Sequence, residues 1–139
     1  MFEAVKNNYK GQDYIIMSAA VADYTPETVA KNKIKKTDDD MNISLKRTTD
    51  ILKYLGENKT NEKLIGFSME TENMLENSKK MLEKKNADMI CANSLSNPNT
   101  GFKVSTNEIT LITKNKEINL PLDTKENLAD KILDNIKEL

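Results

Sequence analysis

Residues 14–36 read YIIMSAAVADYTPETVAKNKIKK, and the chain changes character more abruptly here than anywhere else. The continuous apolar run from Tyr14 to Ser18 is typical of a parallel β-strand that is covered on both faces. Small residues follow, then a carboxylate at Asp23 and a turn residue at Pro26, and the stretch ends in four lysines at positions 31, 33, 35 and 36. A strand that ends in alanines lets a ligand approach its backbone, and the lysines supply positive charge. This combination suits a polyphosphate ligand.

Length and charge limit the classes of protein that this chain can be. A chain of 139 residues has the usual length of one domain, so we expect a single α/β domain. The 21 basic and 22 acidic residues give a net charge of −1, which argues against a general nucleic-acid binder. The longest apolar run is far shorter than the ~20 residues that a membrane span needs, so we expect a cytoplasmic protein without membrane contact.

Three residue counts exclude several kinds of site. The single cysteine, Cys91, rules out an internal disulfide, and its place between apolar neighbours predicts a buried small hydrophobe. The chain has no histidine, which rules out histidine zinc sites and histidine general bases. It has four glycines and no glycine-rich phosphate loop of either common type. No serine or cysteine has an adjacent base, so what remains is chemistry done by position and charge, such as nucleotidyl transfer onto a carboxylate.

The apolar spacing predicts alternating strands and helices. The first predicted elements are a helix over residues 2–9, a strand over 14–18 and a long connection over 19–42. A short strand at Ile43 and Leu45 follows, then a helix from about Asp50 that ends near Gly56, a strand over 63–68, a helix over 71–85 and a strand over 87–92. A hairpin of 108–113 with 117–120 and a last helix complete the chain. This alternation predicts an α/β fold with a mostly parallel sheet, helices on its faces and a C-terminal β-hairpin.

Several local patterns fix expected boundaries. Thr48 and Thr49 are predicted to cap the second helix, and Asp123 with Glu126 has the spacing of a capping box that opens the last one. Asp38–Asp40 is predicted to be a solvated turn and Asn93–Asn99 a loop. The inward stripes are expected to be Met74, Leu75, Ser78, Met81 and Leu82 in the third helix, and Leu128, Ile132, Leu133 and Ile136 in the last.

Ligands of such folds bind beyond the carboxyl ends of the strands. Those ends are Ser18–Ala20, Phe67–Met69 and Ala92–Ser94, all with small or polar residues. The lysines could neutralise phosphates, with Ile34 as an anchor among them, or could form a solvated charged loop. Backbone amides at a helix start would hold an anion, and here they belong to Thr49, Asp50, Ile51 and Leu52.

Two further residues, Asp23 and Phe67, each have two interpretations, and Lys85 has one. Asp23 could accept hydrogen bonds from a base or ribose, or reach a magnesium ion; otherwise it is a turn or cap residue. Phe67 could stack on a base or belong to the core. Lys85 could simply complement the helix dipole at the end of its helix.

The sequence as a whole resembles the phosphopantothenoylcysteine synthetase family, also called phosphopantothenate–cysteine ligase. The similarity covers nearly the whole chain and is carried by stretches in the expected order: Ser18–Tyr24 with Lys33–Lys36, then Thr49–Leu52, Ile65–Thr71, Lys85–Asn93 and Leu120–Glu126. The resemblance implies a Rossmann-like fold, a homodimer and a role in coenzyme A biosynthesis. It also implies CTP and Mg²⁺: 4'-phosphopantothenate would be activated as an acyl-cytidylate, and the amine of cysteine would then attack it to give 4'-phosphopantothenoylcysteine.

The resemblance also assigns roles to residues. Ala19 and Asp23 would contact the nucleotide, and Lys33 would act in turnover of the acyl-cytidylate. Thr49, Asp50, Ile51 and Leu52 would meet the phosphates. Phe67 would lie by the cytosine or ribose, and Lys85 on the triphosphate side.

The chain departs from the family pattern in three places. Thr48-Thr49-Asp50 stands where the family has Asn-Pro-Asp, and Met81 stands where it often has lysine, with Lys80 next to it. The family's Gly-rich first strand-and-helix unit and the preceding decarboxylase domain have no counterpart here. We therefore expect residues 1–139 to be the C-terminal part of the ligase domain. The alternative is a nucleotide-binding or dimerisation fragment that is inactive without the missing unit.

Overall fold

The structure is a computed structural model that describes residues 1–36, 40–94, 100 and 104–139, with Ser94 described by its backbone only. Its elements in chain order are α1 Phe2–Asn8, β1 Tyr14–Met17, β2 Tyr24–Pro26, β3 Leu45–Arg47, α2 Ile51–Asn58, β4 Lys63–Glu70, α3 Met74–Lys84, β5 Met89–Ser94, β6 Thr106–Thr113, β7 Glu117–Thr124 and α4 Lys125–Ile136. They fall into two compact units, one of residues 1–18 with 51–139 and one of residues 19–50.

The larger unit is built on a five-stranded sheet in the order β1-β4-β5-β6-β7. β1, β4 and β5 are parallel, β6 is antiparallel to β5, and β7 is antiparallel to β6. Four strands therefore run in one direction and β6 runs against them. The prediction of a Rossmann-like, mostly parallel sheet with a C-terminal hairpin is confirmed.

Helices cover both faces of this sheet, as predicted. On one face, α4 packs Leu128, Ile132 and Ile136 against β4–β7. On the other face lie α1, α2 and α3, whose buried residues include Leu55 and Leu82. Each large side chain buried in this way stabilises the fold by roughly 1.5–3 kcal/mol relative to an exposed one, so both layers contribute to the core.

β1 is less covered than its apolar run suggested. Tyr14 and Ile16 are 45% and 41% exposed, while Ile15 and Met17 pack against α1 and α2. The prediction that this strand is covered on both faces is wrong, because β1 is the edge strand and only one of its faces meets a helix.

The smaller unit, residues 19–50, contains a strand that the sequence pattern did not reveal. β2 and β3 pair antiparallel, with Tyr24 opposite Arg47 and the guanidinium 5.6 Å from the centre of the tyrosine ring. The backbone N–H of Thr48 donates to the Asp23 carbonyl at 2.9 Å, and its hydroxyl donates to the Ala22 carbonyl at 2.6 Å. The hydroxyl of Thr48 thus ties this ribbon together, and the cap of α2 at Thr48 and Thr49 stays a prediction.

Other local predictions need correction. The N-cap of α4 is Thr124, whose side chain accepts from the Asn127 N–H, so the N-cap lies one residue after the predicted Asp123. Asp123 instead accepts from the Thr124 N–H and from the side-chain amide of Asn127. Leu75 and Leu133 are 42% and 45% exposed, because the apolar stripes of α3 and α4 are narrower than predicted. Asn93 and Ser94 belong to β5 and not to a loop. The rest of the predicted loop, residues 95–99, and most of the turn at 38–40 lie outside the described residues.

Gly56 lies near the end of α2, as predicted, at the point where the helix meets the turn after α3. A Cβ at position 56 would overlap the carbonyl oxygen of Lys85. The side-chain amide of Asn86, a residue with φ of 47°, donates to the Gly56 carbonyl at 2.8 Å. The helix and the turn are therefore in backbone contact at this point.

Among the described residues, no helix has the length and apolar character needed to cross a bilayer.

The contact at Gly56 predicts an unusual response to alanine. Gly56→Ala should lower the free energy of unfolding by about 2–3 kcal/mol, because the backbone must move apart, although alanine favours a helix by ~1 kcal/mol over glycine. Gly11→Ala is the control: Gly11 has φ of 77° and nothing within 4 Å of a Cβ, so only backbone strain of about 1 kcal/mol is expected. Urea denaturation followed by circular dichroism gives both values. A Gly56→Ala variant more stable than the parent would contradict the contact.

Glu62 predicts a pH dependence of stability. Its carboxylate, 6% exposed by residue, accepts from the Thr60 N–H at 2.6 Å and the Thr60 hydroxyl at 3.1 Å. Chiefly the backbone N–H of Thr60 lowers its pKa from 4.5 to about 2. The folded state favours the charged carboxylate of Glu62 more than the unfolded state does. The resulting contribution to the free energy of unfolding is therefore complete above about pH 4.5 and is lost as the pH falls toward 2.

The stability difference between the parent and Glu62→Gln should therefore be larger at pH 7 than at pH 3, measured as urea midpoints. Glu57→Gln, on the exposed face of α2, serves as the control. Equal differences for Glu62→Gln at both pH values would show that the Thr60 contact does not hold the charge.

Candidate functional site

The carboxyl ends of β1, β4 and β5 form one edge of the sheet. Met17 pairs with Gly66, Ser68 with Ala92, and Met69 with Asn93. This is the edge at which parallel α/β sheets bind ligands, and all three predicted strand ends meet there.

Phe67 is half-buried at this edge. Its ring packs against the core layer beneath α4, and its register partner is Cys91 on β5. The two interpretations of Phe67 are therefore compatible: one part of the side chain belongs to the core, and the remainder is accessible to a flat ligand.

Asn93 is a polar residue of this edge that the sequence analysis took as a strand end and as the first residue of a loop, without a role in ligand binding. It is 6% exposed, and its Oδ1 is buried without a hydrogen-bond donor among the residues that the structure describes. By contrast, the buried hydroxyls of Ser68 and Ser78 hydrogen-bond to each other, with their oxygens 2.7 Å apart. The only sequence signal was the polar residue directly after the apolar run of β5.

α2 begins at the same edge. Leu52, in its first turn, lies against Gly66, where a Cβ would come within 2.8 Å of the Leu52 Cδ2 atom. Gly56, one turn later, meets Lys85 before the start of β5. α2 thus runs from the carboxyl edge toward the amino edge, and its first turn lies at the carboxyl edge.

Lys85 lies at the opposite edge. It is the C-cap of α3 and precedes the first residue of β5 by four positions, so the structure does not bring it next to Phe67 within one chain. Its assignment to the triphosphate stays a prediction.

A cavity of about 620 Å³ also lies at this amino edge, between α3, the turn after it and the β6–β7 hairpin; its lining includes Lys79, Glu83, Asn86, Lys114 and Lys116. Two of its lysines are engaged with carboxylates: Lys79 with Glu117 at 2.5 Å, and Lys116 with Glu138 at 3.1 Å. Its position and these ion pairs make it a poorer candidate for a phosphate ligand than the carboxyl edge.

The remaining predicted residues belong to the 19–50 unit. Ala19, Asp23, Lys33, Thr49 and Asp50 are all exposed there. The hydrogen bond from Thr48 to the Asp23 carbonyl fixes the backbone at Asp23 in the ribbon. Lys33 lies outside any strand or helix.

Ile34 does not anchor the lysines. It is 60% exposed and lines an open groove of about 400 Å³ with Val29, Met41 and Ile43, which are also exposed. The expectation of an apolar anchor at position 34 is therefore wrong for this unit considered alone.

Neither a preformed metal cage nor a reactive thiol is present in the part of the chain that the structure describes. No group of three or more Cys, Asp or Glu side chains is placed to hold a metal ion. The predicted burial of Cys91 is confirmed, and burial raises the pKa of its thiol to about 12, so it remains protonated. Asp23 is a single exposed carboxylate, which fits an Mg²⁺ ion only if the ion arrives with phosphate oxygens as its other ligands.

The full length of the chain, residues 1–139, matches the family described as DNA/pantothenate metabolism flavoprotein C-terminal domain. It is 42% identical over 140 residues to the coenzyme A biosynthesis bifunctional protein CoaBC of Bacillus subtilis, covering 100% of this chain and 34% of that protein. It is 41% identical to a cysteine/cysteine sulfinic acid decarboxylase of an unknown prokaryotic organism, covering 39% of that protein.

Among solved structures, the C-terminal domain of a CoaBC protein aligns with a TM-score of 0.78 and 40% identity, over 99% of this chain and 59% of that one. The chain thus spans between a third and two-fifths of the curated relatives named here.

Proposed function

Because the chain belongs to the DNA/pantothenate metabolism flavoprotein C-terminal domain family, we propose that it carries the nucleotide-binding part of a CTP-dependent phosphopantothenate–cysteine ligase. The similarity to CoaBC proteins supports a place in coenzyme A biosynthesis. The observation that carries the proposal is the carboxyl edge itself, where a half-buried aromatic ring and the start of α2 lie at the ends of parallel strands.

The proposed reaction has two steps. A carboxylate oxygen of 4'-phosphopantothenate attacks the α-phosphorus of CTP, and pyrophosphate leaves, which gives the acyl-cytidylate. The amine of cysteine then attacks the acyl carbon, CMP leaves and an amide bond forms. Neither step requires a nucleophile from the protein, in keeping with a chain that has no histidine and whose only cysteine is buried and protonated.

Residues of the larger unit would bind the base and the phosphates. The exposed part of Phe67 would lie against the cytosine or ribose, since aromatic rings stack on bases of any identity. The first-turn N–H groups of α2, at Ile51 and Leu52, would donate to phosphate oxygens, as helix starts commonly do. Both features lie at the same edge of the sheet.

The residues of the 19–50 unit receive their roles from the family resemblance. Ala19, Asp23, Thr49 and Asp50 would contact the nucleotide, and Lys33 would supply positive charge during turnover of the acyl-cytidylate. Their exposure supports these roles, because each is accessible to a ligand. Mg²⁺ would be bound mainly by the triphosphate, with Asp23 as one further oxygen ligand; the ion would neutralise phosphate charge.

We also propose a homodimer. Val29, Ile34, Met41 and Ile43 are 86%, 60%, 59% and 63% exposed on a unit of 32 residues. Exposed apolar sets of this kind are typical of association surfaces. Nucleotide binding and catalysis by residues 1–139 are separate questions. Mixing the chain with the Gly-rich first strand-and-helix unit of the family tests whether ligase activity needs both.

CTP with Mg²⁺ should raise the melting temperature of the chain. At a CTP concentration about 100 times Kd, linkage predicts ~2.7 kcal/mol of stabilisation and a rise of roughly 8 °C. Lys33→Ala and Asp23→Ala should each reduce this rise by about half, as a tenfold weaker Kd would. Circular dichroism at 222 nm, with and without nucleotide, measures the effect.

Lys46→Ala is the matched control, since Lys46 is an exposed lysine of β3 in the same unit. It should keep the full rise with CTP. If neither CTP nor ATP shifts the melting temperature of the parent chain, the proposed nucleotide site does not exist.

A further inference from the structure

Asn93 combines two properties that rarely occur together. It is a polar side chain with 6% exposure, and its Oδ1 has no donor among the described residues. Buried polar atoms in native proteins nearly always have a partner, so an orphan of this kind calls for an explanation. A ligand that donates a hydrogen bond is one such explanation.

The position of Asn93 favours a ligand over a purely structural role. Residues two apart on a strand share a face, so Asn93 lies on the face of Cys91, and the register places Phe67 of β4 beside Cys91. Phe67 and Asn93 are therefore diagonal neighbours on one face at the carboxyl edge. Met69, the register partner of Asn93, is 38% exposed, and its unbranched side chain can move without a change in the backbone.

We propose that Asn93 determines base recognition, with Oδ1 accepting a hydrogen bond from the exocyclic 4-amino group of cytosine while Phe67 contacts the face of the ring. This inference rests on the function proposed above and deepens it, since it names the atom of the protein that recognises the base. The amino group is the only hydrogen-bond donor on the pairing edge of cytosine, and the buried oxygen is an acceptor without a donor.

A thermodynamic cycle tests this pairing directly. One axis is the ligand: CTP against the triphosphate of pyrimidin-2-one riboside, which lacks the 4-amino group. The other axis is the protein: the parent chain against Asn93→Leu, which replaces the carboxamide by an apolar group of similar branching. Isothermal titration calorimetry in the presence of Mg²⁺ gives four Kd values.

In the parent chain, loss of the amino group should weaken binding about tenfold, the usual size of one hydrogen bond to a buried acceptor. In Asn93→Leu the Kd values of the two ligands should differ by no more than about twofold, because the oxygen that accepts from the 4-amino group has been removed. Asn119→Leu, at an exposed position of β7, is the matched control and should keep the tenfold difference.

Thermal unfolding separates the ligand role from a structural one. Asn93→Leu removes the Nδ2 amide together with the unpaired Oδ1, so its melting temperature without ligand measures the structural contribution of the carboxamide, and the ligand cycle measures its recognition of the amino group. If Asn93→Leu does not fold, Asn93→Ala takes its place in the same cycle.

Two results would overturn the proposal in different ways. An equal loss of affinity for the pyrimidinone ligand in parent and variant would show that Asn93 does not meet the amino group, while CTP binding and the proposed function stand. A parent chain that binds neither triphosphate would remove the proposed function itself, and this inference with it.

Discussion

The direction of α2 depends on two close approaches that leave no room for a side chain. At Gly66 the β4 backbone lies under Leu52, and at Gly56 the helix backbone meets the carbonyl of Lys85. Together these contacts hold α2 across the sheet, with its first turn at the carboxyl edge and its last turn toward the amino edge. The helix start therefore lies at the same edge of the sheet as Phe67 and Asn93, whose places are set by the register of β4 and β5.

The chemistry of that edge follows from what the chain lacks as much as from what it has. Without histidine, a reactive thiol or a glycine-rich loop, the proposed action on a nucleotide relies on backbone amides, lysines, the Asp23 carboxylate and the side chains of Phe67 and Asn93. Acyl transfer through a nucleotidyl intermediate is well suited to such means, because substrate and nucleotide carry the reacting groups themselves. Catalysis of this kind comes from position and electrostatics.

Much of the larger unit could be predicted from the sequence. The apolar runs of β4 and β5 are continuous because both faces of these strands are buried, and the periodic stripes of α2 and α4 mark their buried faces. β2 was missed, because Tyr24–Pro26 has no alternation and proline is rare in strands. The open face of β1 was missed because an apolar run does not say which strand lies at the edge.

The site was only partly predictable. Phe67 and the start of α2 could be located, because strand ends and helix starts follow from local patterns. The placement of Lys85 at the amino edge follows from the predicted strand–helix–strand order, because a helix between two parallel strands ends at their amino edge. The unpaired oxygen of Asn93 depends on what surrounds it in three dimensions, which the sequence does not reveal. The roles of Ala19, Asp23 and Lys33 rest on the family resemblance.

The central claim is that a nucleotide binds at the carboxyl edge of the parallel strands. A ¹H–¹⁵N NMR titration of the 139-residue chain with CTP and Mg²⁺ tests it most directly. The account predicts that the largest amide shifts occur at Ile51–Leu52, Phe67–Met69 and Asn93, with residues 113–117 at the amino edge unchanged. Shifts confined to the amino-edge cavity around Lys79 and Lys114, or no shifts at all, would contradict it.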